Sequence, residues 1–147
     1  MSTMTIGKTA SKAGVGVETV RFYERRGLID QPPRPANGGF RVYPEQTVER
    51  IRFIRQAQEL GFALAEIAGL LALRADPSAD CAEVRDHARA KLGEVDRKIA
   101  GLEHLRSALA QVIAACPGQG ALQSCTIMDV LAGAGPATAV GKQRKER

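Results

Sequence analysis

Three cysteines, Cys81, Cys116 and Cys125, are the residues of this sequence best suited to chemistry. In a reducing compartment they point to metal ligation, redox sensing or inert burial rather than to a disulfide framework. Their spacing, C-x34-C-x8-C, matches no compact metal knuckle. All three fall at the edges of predicted elements and none in the middle of an apolar stripe, so the sulfurs can turn toward a common point. Three soft sulfurs without a nearby fourth ligand suit structural zinc poorly and calcium or magnesium not at all. A thiophilic ion that accepts trigonal coordination fits best: mercury(II) first, with lead(II), cadmium(II) or arsenic(III) as alternatives. His87 and His104, the only imidazoles, read as surface residues.

The elements that must position these sulfurs are mostly helical. Thr5 caps a short helix carrying Ile6, Ala10 and Ala13 on one face, and Gly14 breaks it. A second helix over 17–26 places Val17, Val20 and Glu24 together and leaves Glu18, Thr19, Arg21 and Arg25 outward, until Gly27 ends it. Two short helices about a glycine turn have the sequence form of a helix-turn-helix. Pro32, Pro33 and Pro35 forbid helix, and Asn37-Gly38-Gly39 supplies a hairpin turn, so 32–43 reads as a two-stranded wing with Arg41 and Tyr43 on one side and Arg34 across the turn. Pro44 opens a helix to Leu60, a shorter one over 64–74 buries Ile67, Leu70 and Leu71, and Asp76-Pro77-Ser78 marks a boundary.

Residues 82–115 contain no proline and read as one long helix with a coiled-coil seam at Leu92, Val95, Ile99 and Leu102, continued out of phase by Leu105, Leu109 and Val112. At ~1.5 Å per residue such a helix separates Cys81 from Cys116 by about 50 Å, so those two sulfurs of one chain cannot share an ion. An antiparallel pair of these helices sets Cys81 of one chain beside Cys116 and Cys125 of its partner and gives two equivalent three-thiolate sites per homodimer. Pro117-Gly118-Gln119-Gly120 stops the helix, and 126–131 forms a last short one. The expected architecture is mainly α: a winged helix-turn-helix DNA-binding domain over 1–75, an antiparallel coiled-coil dimerisation helix over 80–115, a metal-binding loop and short helix over 116–132, and a disordered basic tail over 133–147.

Charge divides along the chain in the same way. Of the formal +5, residues 1–55 carry ten basic against five acidic side chains, 75–141 carry six against eight, and 142–147 return +3. The N-terminal excess suits phosphate contact with counterion release. No apolar run approaches the ~18 residues of a membrane span, and no charged-then-apolar leader precedes Ile6, so a cytoplasmic protein without a membrane partner is expected. No Cys-His pair, phosphate loop or paired-carboxylate motif is visible, which argues against an enzyme. A thiol redox sensor, using Cys116 and Cys125 without metal, stays open.

From Thr5 to Leu131 the chain resembles the MerR family of transcriptional regulators. The resemblance is carried by Val17-Glu18-Thr19-Val20-Arg21-Phe22-Tyr23-Glu24-Arg25-Arg26-Gly27-Leu28-Ile29, by Phe40-Arg41-Val42-Tyr43, and by 60–67. The placement of Cys81, Cys116 and Cys125 resembles the mercury-responsive branch, and lead-responsive relatives can share it. The resemblance implies a dimer on double-stranded promoter DNA that represses without metal and, with metal, distorts the operator so that RNA polymerase engages both promoter elements. It also implies that Arg21, Tyr23, Arg41 and Tyr43 contact phosphates, that Glu18 and Thr19 approach base edges, and that Arg34 joins the DNA-contacting set. Two positions depart from the family: Gly16 replaces a side-chain helix cap, and Thr126 stands where a proline commonly follows the last cysteine.

Overall fold

The computed structural model describes residues 3–133 and divides into two compact units, 1–91 and 92–147. The expected basic tail lies, apart from Gly133, outside the described residues. The first unit runs β1 (Thr3–Met4), α1 (Ile6–Ala13), α2 (Val17–Arg25), β2 (Tyr43–Pro44), α3 (Glu45–Glu59), α4 (Leu64–Ala75), and the start of α5 (Cys81–Ala115). Thr5 Oγ1 accepts the Lys8 amide to cap α1, and Gly14, at φ 76°, closes it in the left-handed conformation that a β-carbon would oppose. Gly16 begins α2 with no side-chain cap.

Helix α3 is the centre of this unit. Val48, Ile51 and Ile54 on one of its faces are fully buried with Val20 of α2 and Ile67 of α4, and α3 packs on both α1 and α4. This is the burial expected of apolar residues repeated every three or four positions. Arginines on its other faces secure the neighbouring turns: Arg52 Nη2 donates to Lys12 O at 2.8 Å, Arg55 Nη1 to Gly14 O at 3.2 Å, and Arg50 Nε to Leu28 O at 2.7 Å. Cationic side chains therefore complete carbonyls that the ends of α1 and α2 leave open.

The segment 32–42 differs from the expected two-stranded wing. A turn forms as read, with Gly38 N donating to Pro35 O and the Asn37 side chain accepting Gly39 N, but the segment contains no strand pair. Pro32, Pro33 and Pro35 cannot donate to a ladder, and Arg41 Nε instead reaches Pro32 O at 2.8 Å to close the loop. Tyr43 pairs with Met4 of β1, antiparallel, and Pro44 takes the cap position of α3 rather than its first turn.

The second unit contains the rest of α5, a 3-10 turn at Leu122–Ser124, and α6 (Thr126–Leu131). Leu92, Val95, Ile99, Leu102, Leu105 and Leu109 are all exposed along α5, as is Ile113, while Ala108 and Val130 of this unit are buried. No helix among the described residues is long and apolar enough to cross a membrane.

Candidate nucleic-acid interface and candidate metal centre

On α2, Glu18 and Arg21 are exposed and Thr19 is half-buried, so the second helix of the pair presents its first two turns outward. Arg21 shares the wall of a hollow of about 160 Å³ with Arg34 and Arg41 from the loop, and Glu24 and Tyr43 line it with them. Three arginines from α2 and the loop thus line one concavity, and a guanidinium turned toward it can take a phosphate oxygen. Phe40, 81% exposed, lines the same hollow.

The two tyrosines that the resemblance assigns to phosphates turn their hydroxyls to protein partners. Tyr23 and Tyr43 are core residues, 3% and 1% exposed. Tyr23 Oη donates to Gln58 Oε1 at 2.8 Å, and Tyr43 Oη donates to Glu24 Oε2. Burial pushes both phenols up: Tyr23 against the opposing pull of Arg55, and Tyr43 to about 12 with further help from its hydrogen bond to the Glu24 carboxylate. These two hydrogen bonds join α2 to α3 and to β2. The pairing of Tyr43 with Glu24 joins residues nineteen apart, which no local pattern reveals.

The thiols divide between the units. Cys81 is exposed at the first position of α5, where Asp80 Oδ1 accepts the Ala82 amide and Glu83 reaches back to Asp80 N. Cys116 and Cys125 are half-buried and line a single hollow of about 180 Å³ with residues 117–122. Gly118 N–H points at Cys116 Sγ at 3.4 Å and orients the sulfur, and Gly118 and Gly120, at φ 88° and 114°, let the loop turn back. Thr126 closes the loop by donating its hydroxyl to Ala115 O at 3.0 Å. That contact was not legible in the sequence, where Thr126 stood out only as the absence of a proline. Among the described residues no three His, Cys, Asp or Glu gather at one place in a single chain. His87, read as a surface residue, is half-buried, with Cε1 3.6 Å from where a β-carbon on Gly69 would stand; His104 is exposed.

Residues 4–73 match the family described as MerR HTH family regulatory protein, and 48–112 match MerR, DNA binding. A mercuric resistance operon regulatory protein of Shigella flexneri is 41% identical over 133 residues, 90% of each chain. The chain belongs to the MerR family. As a member it is a DNA-binding regulator of transcription with a helix-turn-helix unit and a long following helix. Two solved MerR-type structures are similar over nearly their whole length. The transcription regulator PbrR691 of Ralstonia metallidurans CH34, in complex with lead(II), is 36% identical, with a TM-score of 0.80 over 87% of this chain and 98% of that one. MerR of Bacillus megaterium MB1, in complex with mercury(II), is 35% identical, with a TM-score of 0.68 over 88% and 99%.

Proposed function

We propose that this MerR-family chain is a mercury(II)-responsive regulator that binds promoter DNA as a homodimer, represses without metal, and activates transcription by distorting the operator when its cysteines are occupied. The observation that carries the reading is the hollow shared by Cys116 and Cys125, which supplies two thiols of one chain and leaves room for a third. Cys81 opens a 35-residue helix at whose other end those two lie, about 50 Å away at 1.5 Å per residue. The third thiol therefore comes from a second copy, whose antiparallel α5 also covers the exposed stripe from Leu92 to Leu109. Cys116 and Cys125 of one chain with Cys81 of the other would hold mercury(II), which would supply bonds to sulfur between the chains. The protein's own contribution is to present the three sulfurs together, with the Thr126 hydroxyl and the Gly118 amide keeping the loop in shape.

On the DNA side, Arg21, Arg34 and Arg41 take phosphates, while Glu18 and Thr19 approach base edges from the start of α2. Tyr23 and Tyr43 support these groups from behind. The curated relatives named for mercuric resistance favour mercury(II), whereas the lead(II) complex of PbrR691, with the higher TM-score, favours lead(II) as a second reading. RNA polymerase at the promoter is the partner this mode of activation requires.

The test is a competitive titration of the reduced full-length protein with mercury(II), lead(II), cadmium(II) and zinc(II) in excess small thiol, following thiolate charge-transfer absorption. Two mercury(II) ions per dimer, with uptake lost in Cys81→Ser, Cys116→Ser and Cys125→Ser, is the expected result. Preference for lead(II) replaces the effector and keeps the regulator. Unimpaired mercury uptake by any one serine variant refutes the three-thiol site.

A further inference from the structure

Glu66 and Lys91 belong to neither candidate site, yet they join the helix that begins at Cys81 to the helix-turn-helix unit. Lys91 Nζ lies 2.9 Å from Glu66 Oε1, and that same oxygen accepts the Ala63 amide at 2.7 Å. The two contacts together hold the Glu66 carboxyl below the usual carboxylate range, the Ala63 amide first and Lys91 second. One carboxylate oxygen therefore fastens both the N-terminus of α4 and the third turn of α5. Lys91 Cδ also lies over Gly61, 3.8 Å from where a β-carbon would stand, and its ammonium faces the Phe62 ring with 5.8 Å to the centroid.

We propose that the Glu66–Lys91 pair is the positioning contact through which occupancy of Cys81 is passed to the DNA-binding helices. The proposal rests on the reading of Cys81 as an effector ligand. Three observations argue for it. The stretch from Cys81 to Lys91 is continuous α-helix, capped at its start by Asp80 and Glu83 and free of glycine until Gly93, so it moves as a rod about 15 Å long. That rod belongs to the same compact unit as the helix-turn-helix, whereas α5 beyond Lys91 belongs to the other. The Lys91 side chain is only 10% exposed against 39% for Glu66, so the pair is withdrawn from water chiefly on the lysine side.

A displacement at Cys81 carried along this rod therefore reaches Glu66 through the pair. Glu66 sits in the first turn of α4, α4 packs on α3, α3 on α1, and α1 on α2. The route from thiol to recognition helix runs through packed elements whose arrangement the ligand biases, the form that energetic coupling between distant sites takes.

Glu66→Gln is the informative variant, because its amide oxygen still accepts the Ala63 N–H while the charge facing Lys91 is gone. Lys91→Met keeps an apolar stem over Phe62 and removes the ammonium. The full-length parent and both variants are titrated with mercury(II) chloride in excess small thiol. Affinity for the promoter DNA without metal and mercury-driven distortion of that DNA, read by fluorophores flanking its centre, are measured separately. Both variants should take up mercury at the parental stoichiometry and bind metal-free DNA within about twofold of the parent, while losing about fivefold or more of the mercury-driven distortion. Lys91→Arg should restore it. Distortion of parental amplitude in Glu66→Gln overturns the proposal, as does a fall in metal-free DNA affinity that tracks a lowered Tm, which is what a merely structural contact produces. A parent that takes up no mercury overturns the functional reading first and this inference with it, so the two failures are told apart in the first titration.

Discussion

Replacing Tyr43 by Phe tests how the loop is held against α2, because the substitution keeps the ring in the core and removes only the hydroxyl that donates to Glu24. At neutral pH the loss is that of a hydrogen bond to a charged acceptor, about 1.5–3 kcal/mol. The lower end is expected, since Glu24 is half-exposed and water can replace the phenol. The pH dependence is more specific. Burial, then the Glu24 carboxylate, raises the Tyr43 phenol from 10.0 to about 12, so the folded chain holds this proton more tightly than the unfolded chain does. The corresponding stability is fully present below pH 10 and is lost as pH rises from 10 through about 12, amounting to about 2–3 kcal/mol at most. Chemical denaturation of parent and Tyr43→Phe, below pH 10 and near pH 12, should show the difference between them shrinking across that window. The chain has two tyrosines and no tryptophan, so phenolate absorbance follows the ionisation directly. A gap that stays constant from neutral pH to 12, or phenols that ionise at 10 in the folded protein, would refute the assignment of Tyr43 to a buried pairing with Glu24.

Three further outcomes are expected. Gly16→Ser supplies the missing cap of α2 at a position with extended backbone and no atom within 4 Å of an added β-carbon, and should stabilise the protein by about 0.5 kcal/mol, read as a raised Tm. A lowered Tm would show that Gly16 is needed for some other reason. Thr126→Val removes the hydrogen bond to Ala115 O and should weaken mercury(II) binding about threefold to tenfold, as about 1 kcal/mol requires, without changing stoichiometry. Competitive titration against a chelating thiol measures this, and unchanged affinity means the loop keeps its shape without Thr126. Arg21→Ala should weaken DNA binding across sequences and reduce the salt slope of binding by about one, as loss of a phosphate contact does. A change in sequence preference at constant salt slope would instead assign Arg21 to base recognition.

Much of the local structure follows from the order of residues alone. Helices expected over 17–26, 64–74, 82–115 and 126–131 form as Val17–Arg25, Leu64–Ala75, Cys81–Ala115 and Thr126–Leu131, and the chain itself marks several helix ends, with Gly14, Gly27 and Gly61 after α1, α2 and α3 and Pro117 after α5. The inward faces of α3 and α4, Val48, Ile51 and Ile54 with Ile67, Leu70 and Leu71, follow from period alone. So does the apolar stripe of α5, and the positions of the cysteines at element edges follow from the same boundaries.

What needed the tertiary structure is the use of each polar group, since that depends on partners far along the chain. Arg50, Arg52 and Arg55 add to the N-terminal charge that suggests DNA, yet they spend their guanidinium groups on carbonyls 22, 40 and 41 residues away. The hydroxyls of Tyr23 and Tyr43 turn to Gln58 and Glu24, 35 and 19 residues away. The wing lacks its ladder because three prolines withhold donors and Arg41 offers Pro32 a side-chain substitute. Cys116 and Cys125 share one hollow because Thr126 ties the loop shut, and Glu66 meets Lys91 only once α4 and α5 are both in place. Helix ends and apolar faces are short-range properties that the chain states residue by residue, whereas the destination of a charge or a hydroxyl is decided by whichever partner the packed fold brings within 3 Å or so, and only the three-dimensional structure settles that.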